Sequence, residues 1–146
     1  MSYRKAGLGV AALLAVVLAM GSAGATTYGF DPGGNGGLVG GLETGPGGRT
    51  INYFQTFRII TGTNSTVTVV RDCTAVATPA PIATVVRCWL VHGNTIYADK
   101  TQGEPGPAAT IDQVLTLPLQ TYTACIQAYA LYSDGTKVQG PPSCAG

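Results

Sequence analysis

The four cysteines Cys73, Cys88, Cys125 and Cys144 could serve as metal ligands or redox centres in a reducing compartment, or as disulfides outside the cytosol. The start of the chain decides between these. After Arg4 and Lys5 comes an uncharged apolar run over residues 6–20, followed by Ser22-Ala23-Gly24-Ala25, a small-x-small cleavage site. Residues 1–25 therefore read as a signal peptide with a mature start at Thr26, and the cysteines as two structural bridges. The uncharged stretch is about 20 residues, enough to span a bilayer if retained. Its Ala- and Gly-rich end and the lack of a basic stop-transfer segment favour cleavage. Membrane contact is expected only transiently, through the signal peptide, and the destination is secreted or extracellular.

Acid–base chemistry has few residues to draw on. His92 is the only histidine and falls at a predicted hairpin tip. A Ser133/His92/Asp134 triad is conceivable, but Asp134 is already explained as the first residue of an Asp-Gly turn. Asp31, Glu43, Asp72, Asp99, Glu104 and Asp112 are scattered without a paired-carboxylate spacing. Zinc finds no histidine set and calcium no oxygen-rich loop. The expectation is a protein that is not an enzyme, with no cofactor and no metal. Aromatic side chains are the better candidates for function. Tyr129 beside Gln127 could stack on a sugar ring or contact a protein, and Tyr53 and Phe54, with Phe57, could extend a neighbouring chain's sheet from an edge strand.

These residues need a scaffold, and bulk composition limits which one. The chain has 146 residues, and removing residues 1–25 leaves room for one domain. Without Arg4 and Lys5 the remaining six basic and seven acidic residues nearly balance, so there is no cationic footprint for nucleic acid. Charged residues make up 10% of the chain, against the usual quarter or so. The Ala/Gly/Thr-rich composition points to a high-GC bacterium, in which Asn64-Ser65-Thr66 is a turn rather than a glycosylation acceptor.

Along the chain, ten of the twenty residues 29–48 are glycine, so 26–48 reads as a flexible Gly-rich arm. The folded domain is placed at 49–146. Aromatic and β-branched residues over 51–60, the alternation over 66–70, and further runs over 82–91, 95–97, 110–117, 122–132 and 136–139 read as strands. Turns at Gly62 and Asn64, Pro79-Ala80-Pro81, His92-Gly93-Asn94, Gly103 to Pro107 and Asp134-Gly135 divide them. The predicted fold is all-β, a small antiparallel sandwich of six or seven strands with two disulfides. On the last long strand, Tyr122, Ala124, Ile126, Ala128, Ala130 and Tyr132 form the face expected to be buried.

Four cysteines allow three connectivities. Counting outward from Asp134-Gly135 brings 125 opposite 144, and the midpoint of 73 and 88 falls in the Pro-Ala-Pro turn. Both pairs then lie within hairpins, which favours Cys73–Cys88 with Cys125–Cys144 over Cys88–Cys125 with Cys73–Cys144.

The segment 118–128, Pro118-Leu119-Gln120-Thr121-Tyr122-Thr123-Ala124-Cys125-Ile126-Gln127-Ala128, resembles the E–F corner and F strand of fibronectin type III and related immunoglobulin-like domains. That resemblance implies that the Tyr122 hydroxyl returns to backbone at the corner while its ring enters the core, and that Trp89 acts as the core Trp of an early strand. An immunoglobulin domain sets Tyr two residues before its Cys, whereas Tyr122 stands three before Cys125. Such sandwiches are mostly scaffolds and binding surfaces. The expected function is thus a secreted, non-catalytic bacterial protein that binds protein or glycan at or outside the cell surface. The alternatives are a secreted protease inhibitor, presenting residues 74–82 as a bridged loop, and a structural or self-associating envelope protein.

Overall fold

The computed structural model describes residues 26–27 and 38–144; the predicted signal peptide and residues 28–37 of the predicted arm lie outside the described residues. Ten strands follow one another: β1 (Thr26–Thr27), β2 (Leu38–Thr44), β3 (Thr50–Gly62), β4 (Thr66–Thr78), β5 (Ala83–His92), β6 (Thr95–Pro105), β7 (Ala108–Pro118), β8 (Thr123–Leu131), β9 (Lys137–Gln139) and β10 (Ser143–Cys144). They form two antiparallel sheets, β1-β2-β3-β4-β7 and β10-β8-β5-β6, with β9 also pairing β8. The molecule is an all-β sandwich, as the alternating patterns require, with more strands than the six or seven expected. The excess comes from β1 and β2, which fall within the predicted arm, and from β10, because the tail is split into β9 and β10.

Period-two burial explains the layers. On β4 every second residue from Val67 to Ala77 is buried, and on β3 so are Ile51, Tyr53, Gln55 and Phe57. On β8 and its flanks the predicted inner face holds throughout, with Tyr122, Ala124, Ile126, Ala128, Ala130 and Tyr132 all buried. Gln55 spans the interior, its Nε2 donating to the Cys125 carbonyl at 2.9 Å. One inner position of β4 carries a cation. Arg71 is fully buried, donating from Nη1 to the Ala98 carbonyl at 2.5 Å and from Nη2 to Gln113 Oε1. Burial pushes its pKa down to about 10, partly opposed by the charge of Asp99.

Both favoured bridges are present, Cys73–Cys88 and Cys125–Cys144. The expected reason for the first is corrected. The strands carrying Cys73 and Cys88 do not form a hairpin, because β4 and β5 belong to opposite sheets. The Pro79-Ala80-Pro81 segment carries the chain across the sandwich, and the bridge joins the two sheets through the core, with both cysteines fully buried and their Cα atoms 6.7 Å apart. The second bridge is cross-strand, with Cys144 opposite Cys125 in the ladder. Its register is not the simple one. Tyr132 N–H donates to the Thr136 carbonyl, and Leu131 pairs with Lys137, so the loop holds three residues, with Gly135 at φ 86°. Near the turn the pairing is therefore one residue out of step with the bridge. The Gly140-Pro141-Pro142 interruption supplies the missing residue, and the Cα separation of 4.1 Å is that of a narrow, non-hydrogen-bonded pair.

The expectation of a flexible arm over 26–48 meets a different arrangement at its end. β2 pairs with β3 along its whole length, and Val39 is fully buried. Its glycines are there for close approach. A Cβ on Gly40 would lie 2.7 Å from the Tyr53 carbonyl oxygen, and one on Gly41 2.8 Å from the Tyr53 hydroxyl. Ser143 Oγ donates to the Gly40 carbonyl at 2.6 Å, so β2 also locks the tail. The region around Gly103, read as loop, is instead the end of the eleven-residue β6.

Candidate functional site

The outer face of the second sheet gathers the polar and aromatic groups that face solvent together. Cross-strand register sets them in rows. Thr101, Arg87 and Gln127 stand side by side on β6, β5 and β8; Gly103, Val85, Tyr129 and Gln139 form the next row, ending on β9. Gly103 contributes no side chain, so the surface dips beside Val85. An open depression of about 150 Å³ lies here, lined by Val85, Arg87, Thr101, Gln127, Tyr129 and Gln139 together with Ala128.

Each wall has a defined electrostatic state. Arg87 donates from Nε and Nη2 to both oxygens of Asp99 at 2.9 and 2.8 Å, and its guanidinium lies 4.4 Å from the Trp89 ring centroid. The hydrogen bond from Arg87 holds the Asp99 carboxyl below its ordinary range, and the same bond raises Arg87. On the other side Lys137 Nζ sits 4.3 Å from the Tyr129 ring centroid. Gln127 donates from Nε2 to the Gly140 carbonyl at 3.3 Å, which fixes the amide and leaves Oε1 for an incoming donor. The result is a shallow trough with one aromatic wall, two amides, a hydroxyl and two cations.

Tyr129 and Gln127, predicted as binding residues, are thus brought together. Tyr53 and Phe54 are not. Tyr53 is buried on β3, a central strand, and donates its hydroxyl to the Pro141 carbonyl at 2.7 Å. Desolvation, with a contribution from Glu43, pushes that hydroxyl up to about 12. Phe54 is half-buried on the outer face of the other sheet, opposite Gly40 and Thr74. The aromatic residues of β3 therefore do not lie at an edge. Trp89 is buried under Arg87 and stands opposite Cys125, outside the central core cluster. Sequence reading missed Arg87, Thr101, Lys137 and Gln139. The alternation Val85-x-Arg87-x-Trp89 marks an outward face of β5, but only the pairing with β8 shows that it meets Tyr129.

Groups considered for catalysis are separated. His92 ends β5, its Nδ1 donating to the Thr121 carbonyl at 2.7 Å, while Ser133 and Asp134 lie in the turn after β8. The β5–β8 ladder runs from Val91 opposite Thr123 to Ala83 opposite Leu131, so these groups are about 26 Å apart at 3.3 Å per residue. Asp134 is a turn carboxylate. Its Oδ1 accepts from the Thr136 N–H at 2.9 Å, the main cause of its lowered pKa, and it pairs with Arg49 at 3.1 Å. Of residues 74–82, the inhibitor candidate, the first part is the end of β4 and pairs with β3 and β7 rather than protruding. Among the described residues there is no group of three or more His, Cys, Asp or Glu placed to hold a metal, and no helix long and apolar enough to cross a membrane. Compared with known protein families, with curated proteins and with solved structures, the chain has no match in any of the three.

Proposed function

We propose that this chain is a secreted, non-catalytic binding protein whose outer β6-β5-β8-β9 face holds an extended glycan. The trough beside Tyr129 carries this reading. Its volume of about 150 Å³ is below that of pockets that enclose a drug-sized ligand, roughly 300 Å³ and up, and it is partly open to solvent. A small, partly open depression with one aromatic wall suits a single ring of a longer chain better than a wholly enclosed ligand. Gln127 Oε1, Gln139 and Thr101 supply acceptors and donors of the kind sugar hydroxyls need. Export is supported by two bridges that an oxidising compartment maintains.

Kinship in plan with fibronectin type III domains is part of the proposal. Two observations support it: the Tyr122 hydroxyl donates to the Pro118 carbonyl at 2.6 Å, and the strand blocks β3-β4-β7 and β9-β8-β5 follow the ABE and GFC order of such sandwiches. The test is titration of the oxidised protein starting at Thr26 with soluble cell-wall oligosaccharides, read by calorimetry. Binding that Tyr129→Ala weakens at least tenfold, with unchanged melting, is the expected result. Binding unaffected by Tyr129→Ala and Gln127→Ala, or no glycan bound at all, would overturn it.

A further inference from the structure

We infer that β7 is a self-association edge, along which two copies of this chain pair their Ala108–Pro118 strands antiparallel about a two-fold axis at Gln113. The edges of the two sheets are not equally defended. At β6 the ladder is broken between Cys88 and Leu90, where Ala98 takes φ 53°, and Asp99, Lys100 and Pro105 follow. At β9 and β10 the strands are three and two residues long, separated by Pro141 and Pro142. At β2 the edge is partly covered by β1. By contrast β7 runs eleven residues against β4 without a register shift, carries one charge, and has no strand on its other side among the described residues. Only Pro118, at the very end of β7, lacks an N–H for a further strand.

The sequence of β7 is self-complementary in that register. Setting Ala108 against Pro118 of a second copy places Thr110 against Thr116 and Asp112 against Val114 on the outer face. On the inner face Ile111 meets Leu115, and Gln113 meets itself. No like charges stand directly opposite one another, although the two Asp112 carboxylates are diagonal neighbours across the axis, and two Thr pairs form. Two further observations favour a second copy as the occupant. Val114 is 67% exposed, the highest value among the large exposed apolar residues, and the core margin on this side is unfinished, with Leu115, Tyr97 and Ala98 only partly buried. Buried Arg71 holds Gln113 Oε1, while the Gln113 amide nitrogen makes no hydrogen bond among the described residues. At the axis the two amides face each other, a polar contact that penalises slipped registers.

This inference is independent of the glycan trough, which lies on the other sheet. Sedimentation of the oxidised protein from micromolar to millimolar concentration is expected to show a monomer–dimer equilibrium. Val114→Glu places a carboxylate against Asp112 of the partner copy twice per dimer and should weaken association about tenfold, whereas Val114→Lys should hold or tighten it. Both substitutions are at an exposed position, and circular dichroism melting confirms the fold. A monomer at every concentration, or Glu and Lys variants that behave alike, would overturn the inference.

Discussion

Replacing both members of one bridge by alanine separates what each disulfide does. The loops closed by Cys73–Cys88 and Cys125–Cys144 span 15 and 19 residues. In the chain-entropy treatment each is worth about 3 kcal/mol, and the difference between them is only about 0.2 kcal/mol. The entropic part therefore almost cancels when the two double variants are compared. What remains is burial. Cys73 and Cys88 are both fully buried between the sheets, so Cys73→Ala/Cys88→Ala leaves a void where two sulfurs packed. Cys125→Ala/Cys144→Ala empties only one buried position, because Cys144 is exposed. At roughly 1 kcal/mol per buried sulfur, the first variant should lose about 5 kcal/mol and the second about 4. Those losses are a large share of the 5–15 kcal/mol typical of a domain. Urea unfolding is the assay, and the slope should rise in both variants as the denatured chain expands. Equal losses, or a larger loss from the 125–144 pair, would refute the assignment of the first bridge to the core. A loss below about 1 kcal/mol in both would refute the staple itself.

Asp99→Asn tests the Arg87 clamp and its pH dependence. Asp99 has a lowered folded pKa, chiefly through the Arg87 hydrogen bond, so its stabilisation is present above the unfolded value near 3.9 and is lost as pH falls through the folded value. The melting-temperature gap between wild type and variant should therefore close as pH drops below about 4, and acrylamide quenching of Trp89 should increase once Arg87 is released; a gap independent of pH contradicts this. Tyr122→Phe deletes the bond to the Pro118 carbonyl and should cost about 1 kcal/mol in urea unfolding, with no change in secondary structure. Gly140→Ala would place a Cβ inside the van der Waals envelope of the Tyr53 ring, whose hydroxyl is anchored to Pro141, and overpacking of this kind should cost about 1–3 kcal/mol by the same measurement.

What could be read from the residues depended on whether the signal was local. The inner face of β8 was legible because alternation over 122–132 reports burial directly. The Cys125–Cys144 pair was legible because an Asp-Gly turn sets a midpoint, even though the true loop has three residues and a later interruption restores the register. Alternation does not distinguish a hairpin from a crossover. Val69-Val70-Arg71-Asp72-Cys73 and Val85-Val86-Arg87-Cys88 look like two arms of one hairpin, yet Arg71 points inward on one sheet and Arg87 outward on the other. β2 was hidden for a different reason. Glycine signals chain freedom by its entropy, but Gly40 and Gly41 serve here as clearance for Tyr53, a single residue that lies 13 and 12 positions further along the sequence.

The same contrast bears on the proposed glycan-binding face. Tyr129 was recognisable as outward from its own strand, but its surroundings come from β5, β6 and β9, whose alignment no local pattern encodes. Arg87 shows why this matters. Taken alone it is a half-exposed cation on a Val-rich strand. Placed opposite Thr101 and Gln127, clamped by Asp99 and laid over Trp89, it becomes a rigid wall of the trough and the cover of a buried indole. A ligand carrying a carboxylate would compete with Asp99 for that guanidinium and thereby uncover a second aromatic surface on the same face, two rows along the sheet from Tyr129. The ion pair and the cation–π contact share one side chain, so ligand charge and the exposure of Trp89 are coupled on this face. A neutral glycan would leave the indole covered, and Trp89 fluorescence separates the two cases.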